Sequence, residues 1–239
     1  MPYRFFLNAD LSTAQLNLHD EEAHHLRNVL RLVVGDVVEL FNGRGQSRRA
    51  IIRGIAKREI QLTASADPVD HAHTAQGTIA AAVPKGDRFK WMIEKLTELN
   101  VRRFIPLKTD HSVVHPKPGK LERLRLTAIA ACKQSGRNHL PEIAALTDFS
   151  AVLATDSVFF LADCVPTQHD AVTEAAVAQT VSSACVLIGP EGGWSDSERA
   201  LAAAHNTRVI SLGTNVLRLE TAAIAAAALL SRWQQRRAE

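Results

Sequence analysis

From residue 78 to the end of the chain, short apolar runs alternate with segments of helical periodicity, and this alternation constrains the fold more than any other feature. A run such as VFFLA at 158–162 has no polar face. As a strand it must be covered on both sides, which is the property of a mostly parallel sheet flanked by helices. The pattern predicts strands at 78–83, 101–107, 158–162, 181–188 and 208–212, and helices at 117–135, 170–179, 195–205 and about 220–236. Between the first two strands, Phe89, Met92, Ile93, Leu96 and Leu99 share one helical face, and Asp87 stands where a capping side chain is preferred.

The first seventy residues follow a different pattern. Two β-branched runs, 33–41 and 47–55, flank Asn42-Gly43-Arg44-Gly45, a hairpin turn signal that predicts a small β-barrel or sandwich. Before them, Ala23, Leu26, Val29 and Leu30 recur at helical spacing within 20–32, with acids in the first turn and arginines later. That helix would set Arg27 and Arg31 one turn apart. Residues 64–76 contain a proline, small polar side chains and no periodicity, so they read as a linker. The boundary between two domains, 1–72 and 73–239, is therefore expected near residue 72.

Composition narrows the classes of function. With 46% hydrophobic and 22% charged residues in 239, the chain has enough apolar material for a sizeable core. No apolar run reaches membrane-spanning length and the start MPYRFF has no apolar core of a signal peptide, so a cytoplasmic protein without a membrane partner is expected. Cys132, Cys164 and Cys185 are odd in number and widely spaced, which predicts reduced core thiols. The neighbouring pairs His24/His25 and His71/His73 lack clustered cysteine or carboxylate, so no metal site is expected.

Net charge is only +3, but it is segregated. Residues 71–140 carry thirteen basic and five acidic side chains, whereas 141–200 carry one and nine. Arginine outnumbers lysine twenty to eight, and its planar fork suits phosphate and base contacts. A polyanion such as nucleic acid fits this distribution.

Two loops carry the chemical signal. LIGPEGGWSDSE at 187–198 ends a buried strand in three glycines and then supplies Ser195 and Glu198 as an S-x-x-E capping box. LGTNVLRLETA at 212–222 again ends a strand in glycine and places Arg218 and Glu220 ahead of a helix that begins with small residues. Ligands of open α/β sheets sit beyond the carboxyl ends of the strands, so the two loops could enclose one small molecule. Neither loop is a Walker or dinucleotide fingerprint, which disfavours nucleoside triphosphates and nicotinamide cofactors.

These two segments, together with PKGDRFKWMIEKLTELNV at 84–101, CKQSGRNHLPEI at 132–143 and HHLRNVLRLVVGD at 24–36, closely resemble the RsmE family of the SPOUT methyltransferase superfamily. The resemblance covers nearly the whole chain. It implies a PUA-like β-barrel domain followed by a trefoil-knotted, parallel-sheet methyltransferase domain, a topology that is rare. It also implies a homodimer and an S-adenosylmethionine-dependent transfer of methyl to N3 of a uridine in the small-subunit (16S) ribosomal RNA. Other readings of the same residues are a non-catalytic RNA-binding assembly factor and a SPOUT enzyme acting on transfer RNA. Asn100, Asn215 and Leu219 depart from the family pattern. Asparagine tolerates the left-handed backbone, so the turn at 100 can survive.

The resemblance assigns roles. Leu161, Ile188, Gly189, Pro190, Glu191, Gly192, Gly193, Leu212, Gly213, Val216, Leu217, Arg218, Thr221 and Ala222 would bind the cofactor, largely through main-chain groups. Arg218 would orient the base or stabilise its developing negative charge, and Glu220 would position Arg218 or act as the base. The target base must be swung out of its stack, with affinity coming from phosphate contacts. Candidates for contact with RNA or the small ribosomal subunit are Arg4, Arg27, Arg31, Arg44 and Arg48, then Lys85, Lys95, Arg137 and Asn138.

Overall fold

The computed structural model describes residues 2–73, 76–163 and 184–238. The helix expected at 170–179, the first residues of the strand expected at 181–188, and Cys164 lie outside them. The chain packs as two compact units, Met1–His73 with Cys132–Leu140, and Thr74–Ala131 with Pro141–Glu239. The segment 132–140 belongs to the first unit although sequence placed it in the second domain.

In the first unit, β1 (Arg4–Phe6), β2 (Gln15–His19), β3 (Val37–Phe41), β4 (Gln46–Ile55) and β5 (Glu59–Ala64) form one sheet in the order β1-β3-β4-β5-β2, with β6 (Val69–Asp70) paired to β4. Only β1 and β3 run parallel; the other pairs are antiparallel. Phe5 of β1 and Leu16 and Leu18 of β2, the two end strands, share one core with Leu40, Ile52 and Leu62, so the sheet wraps around its own apolar face. The β3–β4 turn forms as its sequence signals. Asn42 Oδ1 accepts from the backbone N–H of Arg44 (2.9 Å) and Gln46 (3.1 Å), and Gly43 and Gly45 take φ of 73° and 104°. Part of the expected linker is structured, because Val69 and Asp70 pair with Ser47 and Gln46 at the start of β4.

The helix expected over 20–32 is shorter. α1 (Asp20–His24) widens into a π-turn over His25–Val29, in which the Leu30 N–H reaches the His25 carbonyl at 3.0 Å. Arg31 then takes φ 54°. A left-handed residue cannot continue a right-handed helix, so Arg31 leaves the axis and the expected alignment of Arg27 with Arg31 does not form.

The second unit is the α/β domain that the alternation predicts. β7 (Gln76–Ala81), β8 (Val101–Lys108), β10 (Thr147–Asp148), β11 (Val158–Ala162), β12 (Ala184–Ile188) and β13 (Arg208–Ile210) lie in the order β10-β8-β7-β12-β11-β13, and β9 (Glu142–Ile143) pairs with β8. Every pair is parallel. All five residues of β12 are buried, as a strand covered on both faces requires.

One face packs Leu107, Leu161 and Leu187 with Phe149 and Val152 of α4 (Phe149–Leu153) and Ala202 of α5 (Asp196–Ala204). The other face meets α2 (Arg88–Glu98) through Phe89 and Phe104, ring centroids 5.8 Å apart, and α6 (Leu219–Ala238) through Phe160 and Trp233, 6.0 Å apart. Helix α3 spans Pro118–Ser135.

Helix ends follow local chemistry where a side chain can reach. Ser195 and Glu198 form the complete capping box, with Glu198 N–H to Ser195 Oγ at 3.2 Å and Ser195 N–H to Glu198 Oε2 at 2.9 Å. Asn100 takes φ 61° and closes α2. Asp87, by contrast, makes no side-chain cap, because its own backbone is already helical (φ −73°, ψ −15°) and only its carbonyl engages the helix.

Candidate active site

The carboxyl ends of β11, β12 and β13 open into a cavity of about 470 Å³, within the size range of small-molecule sites. Its walls are the residues of the two glycine loops. Ile188, Gly189, Pro190, Glu191, Gly192 and Gly193 form one side; Leu212, Gly213, Val216, Leu217 and Arg218, with Ala222 of α6, form the other. Two expected residues do not line it. Leu161 points into the core beneath α4 and α5, since alternation along β11 turns Ala162 toward the cavity in its place. Thr221 is exposed on the outer side of α6, whereas Leu219 and Ala222, three residues apart, share the inner side.

Sequence reasoning missed Ala162, Asp163, Trp194, Ser211, Asn215 and Leu219, which also line the cavity. Trp194 stood in the motif and could have been found. It is 4% exposed, donates from Nε1 to the Ala162 carbonyl at 3.0 Å, and packs on Phe149 with centroids 5.1 Å apart. Asp163 is held by Arg199 Nε at 2.9 Å, and Arg199 also donates to the Trp194 carbonyl at 2.7 Å.

The glycines divide their work. Gly193 (φ 72°) and Gly213 (φ 153°) adopt backbone that side-chain-bearing residues avoid, and a Cβ at either would meet nothing within 4 Å. Gly189 and Gly192 are required for space. A Cβ at Gly189 would lie 3.0 Å from Trp194 Cε2, and one at Gly192 would lie 3.1 Å from His111 Cβ.

Arg218 is exposed and lines the cavity, while Glu220 is 4% exposed and its partner is not Arg218. Arg88 Nη1, from the first turn of α2, lies 3.3 Å from Glu220 Oε1 and 3.9 Å from Glu191 Oε1. The expected positioning of Arg218 by Glu220 is therefore replaced by a brace from Arg88 to both loops. The second Glu220 oxygen is buried without a hydrogen bond. Only contacts across the fold reveal Arg88, which lies 132 residues from its partner in sequence.

The expected RNA contacts separate by exposure. Arg31, Arg44 and Lys85 are exposed and Arg27 is half-buried. Arg44 is steadied by Asn8 Oδ1 and the Ala9 carbonyl, each 3.0 Å away. Arg48 is buried, and its guanidinium donates to the carbonyls of Leu11, Thr13 and Ala66. Its Nε and Nη1 groups are engaged with backbone from two other segments, so the side chain has a structural role at this position.

Arg4 lies over the Phe41 ring and donates to the Cys132 carbonyl and to Asn138 Oδ1, and burial lowers its pKa despite Glu39. Arg4 and Asn138 thus engage each other. Burial also lowers the Arg137 guanidinium to about 10, which leaves it a cation at neutral pH. Lys95 is tied to Glu94 and Glu98 at 2.8 Å each, and these bonds raise its pKa. Cys132 and Cys185 are buried free thiols, which desolvation pushes up to about 11 and about 12.

Among the described residues no group of three or more His, Cys, Asp or Glu is arranged to hold a metal, and no helix is long and apolar enough to cross a membrane.

Comparison with known proteins accounts for both units. Residues 71–231 match an RNA methyltransferase domain and residues 18–65 an RNA methyltransferase PUA domain. The chain is 32% identical to a ribosomal RNA small subunit methyltransferase E of Synechocystis, covering 97% of this chain and 78% of that one. It is 31% identical to the protein so named in Rickettsia conorii, covering 94% and 93%.

Among solved structures, a methyltransferase of Legionella pneumophila in complex with its cofactor SAM superposes with TM-score 0.85 at 28% identity, covering 97% of this chain and 98% of that one. A ribosomal RNA small subunit methyltransferase E of Neisseria gonorrhoeae bound to S-adenosyl methionine gives 0.81 at 26%, covering 95% of each. With a matching catalytic-domain model over two thirds of its length and relatives matched nearly end to end, the chain belongs to the ribosomal RNA small subunit methyltransferase E family.

Proposed function

We propose that the protein transfers a methyl group from S-adenosylmethionine to N3 of a uridine in 16S ribosomal RNA, and that the cavity between the two glycine loops is where transfer occurs. The observation that carries the reading is the cavity itself. It lies at the carboxyl ends of parallel strands, is lined by glycines and apolar residues of two loops, and carries the exposed cation Arg218 in its lining. Its volume of about 470 Å³ and the open space beside Gly193 and Gly213 suit a nucleoside-sized ligand. Two structures similar over nearly their full length carry the cofactor by that name.

In this reading S-adenosylmethionine supplies an electrophilic methyl group. The residues of this chain hold and orient it: Gly189 to Gly193 and Leu212 to Leu217 by main chain and shape, and Ala222 by allowing close approach. Arg218 would stabilise negative charge developing on the base as N3 gives its proton to water and takes the methyl group, with S-adenosylhomocysteine as the leaving product. Arg88 and Glu220 act behind the wall, joining α2 to both loops. Exposed Arg31, Arg44 and Lys85, with half-buried Arg27, contact RNA phosphates. The reading includes a trefoil knot, with which a strand order that sets β12 between β7 and β11 is consistent, and a cytoplasmic homodimer, which the family resemblance implies.

Calorimetry with S-adenosylmethionine, followed by methyl transfer to small subunits from cells lacking the gene, tests the reading. Formation of 3-methyluridine in 16S RNA is expected. Absence of cofactor binding would point to a non-catalytic assembly factor, and methylation of transfer RNA alone would point to a different substrate.

A further inference from the structure

The connection from β8 to α3 runs behind the first glycine loop and is tied to it at several points. The Asp110 backbone N–H donates to Glu198 Oε1 at 3.0 Å. The Asp110 carboxylate accepts from Ser195 Oγ at 2.6 Å and Ser197 Oγ at 3.2 Å, and these bonds hold its pKa below the ordinary carboxylate value. Thr109 and Ser112 close the same turn, Oγ1 to Oγ at 2.8 Å. Within this strap, His111 Nδ1 lies 3.1 Å from the carbonyl of Gly192 and 3.1 Å from that of Gly193. His111 is not among the cavity-lining residues, whereas both glycines are.

A carbonyl oxygen only accepts, so an Nδ1 facing two carbonyls must carry the proton. Neutral His111 is thereby committed to the Nδ1–H tautomer. Because a peptide unit is planar, holding a carbonyl toward the strap also directs the N–H of the same unit away from it. For the unit joining Gly193 to Trp194, that N–H belongs to Trp194, itself a cavity-lining residue. Gly193 is at φ 72° and glycine has no Cβ to restrict it, so the turn that its N–H closes onto the Pro190 carbonyl at 2.9 Å is made more rigid by a second restraint from outside the loop. Gly192 is already against this strap, where a Cβ would meet His111 at 3.1 Å.

We infer that His111 is a positioning residue for the cofactor loop, its Nδ1–H bridging the Gly192 and Gly193 carbonyls so that the loop is set before ligand arrives. The inference rests on the reading of the cavity as the S-adenosylmethionine site. Loss of one net hydrogen bond that acts on the bound loop conformation is worth about a tenfold change in affinity.

Three variants and one spectrum test it. His111→Ala is expected to raise the Kd for S-adenosylmethionine about tenfold while leaving the thermal midpoint near wild type, because the side chain is exposed. His111→Asn places an amide N–H at the Nδ1 position and is expected to restore binding, whereas His111→Gln places it one bond further out and is expected to bind like alanine. A merely space-filling role would not distinguish asparagine from glutamine.

In the unliganded wild-type protein, nitrogen-15 NMR should show the Nδ1–H form for His111, identified among the ten histidines by its absence from the His111→Asn spectrum. An Nε2–H tautomer, wild-type affinity in His111→Ala, or equal affinity of the Asn and Gln variants would each overturn the inference. A wild-type protein that does not bind S-adenosylmethionine overturns the reading of the cavity instead, and the tautomer still decides whether the strap holds the loop.

Discussion

Replacing Gly189 with alanine adds a single methyl group where the cavity wall has no room for it. The added Cβ would lie 3.0 Å from Cε2, 3.2 Å from Cδ2 and 3.2 Å from Nε1 of Trp194. Carbon atoms are at their optimum near 3.5–4.0 Å, so the indole must retreat by about half an ångström. It cannot do so freely: it is 4% exposed, its Nε1 donates to Ala162 at 3.0 Å, and Phe149 packs against it at 5.1 Å.

Overpacking of this kind costs about 1–3 kcal/mol, against which the reduced entropy of the unfolded chain returns about 0.4–1 kcal/mol. A net loss of about 1–2 kcal/mol corresponds to a thermal midpoint lowered by roughly 2–8 °C in a chain of this size. Gly193→Ala is the control, since its φ of 72° strains the backbone by about 1–2 kcal/mol but its Cβ meets nothing within 4 Å. Scanning calorimetry should find both variants destabilised. Near-ultraviolet circular dichroism should find the tryptophan environment altered only in Gly189→Ala, and S-adenosylmethionine affinity should fall with it. A Gly189→Ala protein with the wild-type midpoint and the wild-type near-ultraviolet spectrum would refute the steric reasoning.

Three further outcomes follow from contacts elsewhere. Arg48→Ala takes the donor away from the carbonyls of Leu11, Thr13 and Ala66 and should destabilise the first unit by about 1–3 kcal/mol, with Arg48→Lys recovering little; wild-type stability with a shallower salt dependence of RNA binding would return it to the phosphate contacts. Arg88→Ala leaves the buried Glu220 carboxylate without its partner and should cost about 1–3 kcal/mol, less after solvent screening of the half-exposed arginine, and adding Glu220→Gln should recover part of the loss. A double-mutant cycle with no coupling would dismiss the brace.

The third concerns alkali. The Cys132 thiol is raised from 9.0 to about 11 in the folded protein, so the unfolded chain loses this proton first. Its contribution is present below pH 9 and is lost as pH rises through 11, by roughly 3 kcal/mol at most. Between pH 8 and 10.5 the wild type should lose more stability in urea than Cys132→Ala; parallel losses would show that the thiol is not desolvated.

What the sequence by itself determined is local chemistry and periodicity. The unbroken apolar run VFFLA could only be a strand covered twice, Ser195 and Glu198 could only close the first turn of a helix, and Asn42-Gly43 could only turn a hairpin. The alternating QLNLH of β2 and EIQLT of β5 carry the same kind of signal, since Leu16, Leu18, Ile60 and Leu62 recur every second residue.

Most of the cavity wall was also readable, because the residues that form it are contiguous in two loops. Tertiary structure alone decided which charged groups pair. Arg48 looks like any hairpin arginine until the carbonyls of Leu11, Thr13 and Ala66 close around it, and Glu220 has Arg218 as its nearest arginine in sequence but Arg88 in space. Side-chain ions carry no periodicity and reach several ångströms, so their partners are selected by packing across long separations. For the same reason the left-handed turn at Arg31, the space denied at Gly189 and Gly192, and the hold of His111 on the glycine loop exist only once distant segments have met.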